Sequence, residues 1–284
     1  MLEVSRHTTY AEDAVEALDR LDDDVRRGVE MVGGYTGRLN LLFMSAVDRV
    51  GHQAVVDPRA EARESWLGLV FALDVGMAIF TVASAEKGSD LTCRIGEQEY
   101  LLTATGPVSY ASPQNWLTTL WLAITARDGG ALQHLANVPA EALGAGTAPE
   151  YLHDMVRMFQ LFLHREPGVE AALNAALRNS DPAQLPEGIR DYTTHISFPI
   201  MTLFHHLLQE GNEQQFNDAL AEALQQHKTY WSTDDEREES PLGYIALGPL
   251  ALAAMAHDTG TQITVTSDYL PTGLLNGTTR IENA

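Results

Sequence analysis

The sequence predicts a mainly α protein in which αα-hairpins stack into a bundle or repeat-like array, with a small β-hairpin that a third strand extends. Three observations carry this. Apolar residues recur at helical spacing over most of the 284 residues, acidic or glycine-bearing turns interrupt that spacing at short intervals, and period-two alternation is confined to two short stretches. A chain of this length buries a core of its own as one domain, 1–284, within which 1–110 and 111–284 are the natural N-terminal and C-terminal helical subregions.

Val15, Leu18, Leu21, Val25, Val29 and Val32 form the first apolar stripe, and Gly33-Gly34 ends that helix. A second helix is expected over 37–50. Asp57 and Pro58 supply a cap and a first-turn proline for a third, running from Arg59 to about Ala85. Its apolar stretch Trp66–Ala85 is long enough to span a bilayer, but Asp74 at its middle would cost roughly 2.5–3.5 kcal/mol there, so it reads as a buried core helix. Leu91, Cys93 and Ile95 then alternate with polar residues, Gly96-Glu97 supplies a turn, and Tyr100 and Leu102 return: a β-hairpin. Ile263 and Val265 are the expected third strand.

Between these β segments lie three helix pairs. Trp116–Ala126 turns at Asp128-Gly129-Gly130 into 131–138, Tyr151–His164 at Glu166-Pro167-Gly168 into 169–179, and Pro199–Gln209 at Glu210-Gly211-Asn212 into 213–227. Gly144–Pro149 reads as a linker. Trp66, Trp116, Trp121 and Trp231 are expected as core or groove anchors, and one of His205 and His206 as half-buried and hydrogen-bonded.

Charge sets the partner class. Eighteen Lys and Arg against 39 Asp and Glu give a net −21, spread over both halves of the chain. Such a surface is repelled by phosphate backbones and anionic membranes and attracts a basic protein, or serves only solubility. The densest run is Ser232–Ser240, with Asp234, Asp235, Glu236, Glu238 and Glu239 around a single arginine. It is either a solvated connector or a loop on which a basic protein docks, joined by Asp22, Asp23 and Asp24 if the fold brings them near. The lone Cys93 excludes internal disulfides and cysteine-based zinc sites, and no secretory signal opens the chain, so the expected location is cytoplasmic.

No nucleophile elbow, phosphate-binding loop, dinucleotide fingerprint or H-E-x-x-H metal motif occurs, and no cofactor is called for. Two His-Asp dyads, His153-Asp154 and His257-Asp258, leave one enzymatic alternative: a metal-dependent helical hydrolase of the HD type whose ligands would be His206, His257, Asp258 and Asp268. A generic helical-repeat scaffold is the other alternative.

The most distinctive stretch is PLGYIALGPLALAAMAHDTGTQITVTSDYLPTGLL, Pro241 to Leu275, in which a small-residue apolar helix runs into His257-Asp258, a short strand and Ser267-Asp268-Tyr269-Leu270-Pro271. Together with the preceding FNDALAEALQQHKTYW, Phe216 to Trp231, it resembles the immunity 49 family of bacterial polymorphic-toxin systems. The resemblance implies a cytoplasmic, non-catalytic protein that binds and blocks a cognate toxin domain, for which the acidic segment read from charge is the candidate contact. It gives His257, Asp258, Ser267, Asp268, Tyr269 and Pro271 an architectural role, in which Asp268 caps backbone N–H groups and Pro271 stops the strand.

Overall fold

The computed structural model describes residues 2–144, 148–209 and 211–280. Helices dominate it. α1 (Ala11–Val32), α2 (Leu39–Val56), α3 (Arg63–Ser84) and α4 (Pro113–Ala126) pack in succession, each on the next. α12 (Leu247–Asp258) returns against α4, so the small-residue helix near the C-terminus lies in the same core as the apolar α3. α4 pairs with α5 (Gly129–Ala136), α6 (Glu150–His164) with α7 (Val169–Asn179), and α9 (Phe198–Leu207) with α10 (Glu213–Trp231), which are the three expected hairpins. One contiguous apolar cluster runs from Val4 to Leu275. Residues 145–147 of the expected linker, and Glu210 of the third hairpin turn, lie outside the described residues.

Side-chain caps set several of these boundaries. Ser112 accepts a hydrogen bond from the Asn115 N–H (3.2 Å) ahead of Pro113, and Asp128 accepts one from the Ala131 N–H (2.9 Å), so α4 begins at Pro113, ahead of the expected Trp116, and α5 at Gly129, inside the expected turn. α3 begins later than expected. The Asp57 carboxylate accepts from the Glu61 and Ala62 N–H groups (3.1 and 2.8 Å) and from Ser65 Oγ (2.6 Å), while Ala60 turns through φ +51°. Asp57 therefore organises a loop, and the helix starts at Arg63. Pro199 likewise opens no helix. α8 (Glu187–Tyr192) continues through a π turn, Thr193–Ser197, into α9, and that wider turn accommodates a proline that has no N–H and would crowd the preceding carbonyls.

On α1 the buried contacts are Ala14, Ala17 and Val32, with Leu18, Leu21, Val25 and Val29 half-buried, whereas Val15 faces solvent. The helix is rotated so that its small residues meet the body. All four tryptophans are buried, and Trp116 Nε1 donates to the Leu135 carbonyl (3.2 Å). α3 lies between α2, α4 and the hairpin, with its Asp74 carboxylate accepting from the Gly96 N–H (2.9 Å) at the hairpin turn.

The hairpin pairs β2 (Asp90–Ile95) with β3 (Gln98–Thr103) across the expected turn, Cys93 opposite Tyr100 and Ile95 opposite Gln98, with Cys93, Ile95 and Leu102 turned inward. The expected third strand does not join it. β4 (Val265–Thr266) instead pairs in parallel with β1 (Leu2–Glu3), in the register Leu2 to Val265 and Glu3 to Thr266. The two ends of the chain thus hold each other, which alternation within either one could not reveal.

Candidate functional site

The acidic segment folds as a ridge. Asp234 accepts a hydrogen bond from the Arg237 N–H (2.9 Å) and caps a single helical turn, α11 (Asp235–Glu238). Arg237 in turn pairs with Asp191 and with Asp234 (3.4 Å), and its guanidinium lies 4.1 Å from the centre of the Tyr230 ring. The only arginine of the run is therefore spent holding the ridge to α8 and α10. Asp235, Glu236, Glu238 and Glu239 have no ion-pair partner among the described residues.

The base of the ridge rests on α2. A Cβ on Gly51 would lie 2.0 Å from the Pro241 carbonyl oxygen, so only glycine lets the turn Pro241–Gly243 touch the helix backbone. His227 Nε2 donates to the Gly243 carbonyl (2.9 Å), and Gly243 sits against the Trp231 ring.

Two concavities adjoin the ridge. The first, a polar cleft of about 600 Å³, is lined by Asp13, Arg20 and His52 on the helical side and by Asp235, Glu238, Glu239 and Tyr244 on the ridge side. Asp13 is the α1 acid that shares it. Asp22, Asp23 and Asp24 pair with Arg49, Arg26 and Arg27 instead. The second, an apolar groove of about 600 Å³ that reaches the ridge through Tyr230 beneath Arg237, is lined by Phe43, Met44, Val47, Leu152, Ile189, Tyr192, Tyr230 and Leu242. Met44 and Leu242 remain 54% and 48% exposed, so this is open apolar surface. Asp48 also lines the groove, half-buried, with no hydrogen bond or ion pair among the described residues, and burial raises its carboxyl above the usual range. Asp48 and His52, one α2 turn apart, join the two concavities into one face. A third cleft of about 570 Å³, between α1, α3 and the hairpin turn, has its charges largely matched internally: Arg49 pairs with Asp22 (2.6 Å) and Arg94 faces Asp74 (3.8 Å).

The C-terminal segment is engaged in architecture. Ser267 Oγ donates to the Val4 carbonyl (2.6 Å) and accepts from the Tyr269 N–H (3.2 Å). The local capping expected of Asp268 thus comes from Ser267, while the Asp268 side chain faces solvent and only its carbonyl receives Arg6. Tyr269, fully buried, accepts from the His7 N–H (3.0 Å) and lies 2.7 Å from His7 Nδ1. Pro271 does not stop the strand: β4 already ends at Thr266, where its pairing with β1 runs out, and Pro271 instead precedes α13 (Thr272–Leu275).

The four residues of the metal alternative do not converge. His206 Nδ1 receives Asn212 Nδ2 (2.9 Å), matching the half-buried histidine expected there. Asp258 takes two hydrogen bonds from Arg127 (3.0 and 3.2 Å), with His257 alongside at 3.3 Å. Desolvation opposes its charged form, but these hydrogen bonds hold the carboxyl below the usual range. No group of three or more His, Cys, Asp or Glu side chains is placed to hold a metal ion among the described residues. Arg127, 16% exposed, also donates to the Leu274 carbonyl (2.6 Å) and to that of Leu275, clamping α4 to the chain end. Arg127→Met is expected to destabilise the protein by about 3 kcal/mol in urea unfolding, because the Thr125, Leu274 and Leu275 carbonyls lose their donor and the half-exposed Asp258 carboxylate loses its pair. A loss under about 1 kcal/mol would show that water replaces the clamp.

Asp48, Met44, Tyr230 and Leu242 are absent from the sequence-level candidates. The signal for two of them is their spacing: Met44 and Asp48 stand at i and i+4, off the buried stripe of Leu39, Leu42, Phe43, Ala46, Val47 and Val50.

No curated protein and no solved structure matches the chain. A family described as immunity protein 49 matches residues 57–274, from the loop before α3 through the ridge and α12 to the segment that binds the N-terminal strand. That span covers most of the chain and includes the C-terminal stretch that carried the resemblance, so the chain belongs to the immunity protein 49 family.

Proposed function

We propose that the protein neutralises a cognate bacterial toxin by stoichiometric binding in the cytoplasm, without a catalytic step of its own, and that the ridge of Asp234–Glu239 and its flanking concavities form the docking face. The observation that carries this, beside family membership, is the set of carboxylates at Asp235, Glu236, Glu238 and Glu239, without ion-pair partners among the described residues and near open apolar surface. An apolar centre with a charged rim is the anatomy of a tight, selective interface. The partner that complements it is a basic protein surface, such as one that grips a polyanionic substrate. Cys93, the sole thiol, is buried and pushed up to about 11 by that burial, which makes it an unreactive core thiol and leaves it no nucleophilic role.

Co-expression with the toxin domain encoded beside this chain is expected to restore growth and to yield a complex of one copy of each. Growth that stays arrested, with no complex recovered, would end the reading. The triple variant Asp235→Lys, Glu238→Lys, Glu239→Lys is expected to slow association by about tenfold or more at low salt, with a much smaller difference near 0.5 M. An association rate indifferent to both charge reversal and salt would remove the ridge from the account.

A further inference from the structure

The apolar groove beside the ridge contains a carboxylate that the fold does not use. Asp48 points from α2 into a lining of Met44, Val47, Tyr230 and Leu242, and no described residue gives it a proton, a hydrogen bond or a counter-charge. For folding alone, an apolar residue would serve better at that position, since a carboxylate half withdrawn from water without a partner is unfavourable. Features that break a local folding rule with no internal compensation belong to functional surface. The fitting occupant has an apolar stem and a positive head. The same neighbourhood already accommodates one such group, the Arg237 guanidinium over the Tyr230 ring at 4.1 Å.

We propose that the groove receives one lysine or arginine side chain of the bound toxin, its stem along Met44, Val47 and Leu242 and its charged head paired with Asp48. This rests on the toxin-binding reading and adds a division of labour to it. The exposed ridge charges steer encounter, whereas the enclosed Asp48 pair holds the complex once formed. Pairing in a groove that contact with the toxin dries is strong because water no longer competes for either charge. Asp48→Asn, close to isosteric, is expected to leave the free protein as stable as before or more so, and to raise the toxin dissociation rate by about 30-fold or more with little change in association. Met44→Lys places a cation one turn from Asp48 and is expected to occupy the site from within, again weakening toxin binding without loss of fold.

A probe separates the groove from the toxin. With methionine methyl groups labelled for NMR, 4-phenylbutylamine at millimolar concentration is expected to shift the Met44 signal. The neutral 4-phenylbutanol should shift it far less, and Asp48→Asn should remove the difference. The proposal fails alone if the toxin binds and Asp48→Asn leaves its dissociation unchanged, or if amine and alcohol act equally. It fails also if the groove is closed by a second copy of the chain, seen as a dimer in sedimentation that Met44→Lys dissociates. A chain that binds no toxin overturns the proposal and the functional reading together.

Discussion

Replacing Gly51 with alanine is expected to destabilise the protein by about 3 kcal/mol, a drop in Tm of roughly 5–10 °C for a chain of this size. The new methyl carbon would sit 2.0 Å from the Pro241 carbonyl oxygen and 2.7 Å from its carbonyl carbon. Backbone cannot swing aside as a flexible side chain can, so either α2 or the turn Pro241–Gly243 must move. The turn is held from the other side by the His227 hydrogen bond and by the Trp231 ring, which a Cβ on Gly243 would itself strike at 2.7 Å. Relief of the clash therefore displaces the ridge and opens the groove at Leu242. Toxin affinity should fall along with stability, and thermal melts beside binding measurements on the same samples would show both. Gly129→Ala provides the comparison, since nothing lies within 4 Å of its Cβ position. Equal Tm values for the two variants would show that the α2 to turn contact is looser than the structure has it.

The Gly51 contact joins segments far apart in the chain, so nothing local to either one announces it. The longer helices and the hairpin are legible because each follows from local periodicity and turn chemistry, as where Cys93 and Ile95 alternate inward around Gly96-Glu97, whereas short α8, the cap at Asp128 and the left-handed turn at Ala60 are set by contacts that no pattern announces. Pro199 misled for a physical reason. A proline starts a helix more often than it sits within one, and only the π turn at Thr193–Ser197 makes room for it here. The third strand misled because Val265 chooses its partner by tertiary position, and that partner, Leu2, lies at the opposite end of the chain.

The candidate face shows the same division. The acids of the ridge stood out as a charge run, and the structure adds that Asp234 is consumed as a cap while its neighbours stay free for a partner. Asp48 is one acid among 39, and nothing local distinguishes it. Its character arises from Met44 beside it on α2 and from Tyr192, Tyr230 and Leu242 arriving from segments far along the chain. The groove also straddles the edge of the family match, with α2 lying before residue 57 and the rest of the lining after it.

Acidification is expected to weaken the same face. His7 and His227 are both buried and, chiefly for that reason, held down to about 4, whereas an imidazole in the unfolded chain titrates near about 6.5. Between those values the unfolded chain binds more protons than the folded one. The stability these two neutral rings confer is therefore complete above about pH 6.5 and is lost as pH falls toward 4, on the order of 3 kcal/mol for each. Asp74 acts with the opposite sign. Burial raises it to about 6, so the folded state takes up its proton first, and stability is gained as pH falls from there toward the usual carboxylate range. One histidine is roughly cancelled and a net loss of a few kcal/mol remains. Urea unfolding from pH 7.5 down to about 4.5 is expected to show that loss. His227→Gln, which keeps a donor for the Gly243 carbonyl, should remove most of that net dependence, because the His7 loss is then roughly balanced by Asp74, and Asp74→Asn should steepen the wild-type dependence. A wild-type dependence unaltered by His227→Gln would exclude the buried ring as its source. Protonated His227 keeps its hydrogen bond to Gly243 but puts an unpaired charge in the buried base of the ridge, and protonating His7 Nδ1 removes an acceptor for the Tyr269 hydroxyl in a ring that lies against Tyr244. Toxin dissociation should accordingly quicken below about pH 5 in the wild type, and less so in His227→Gln.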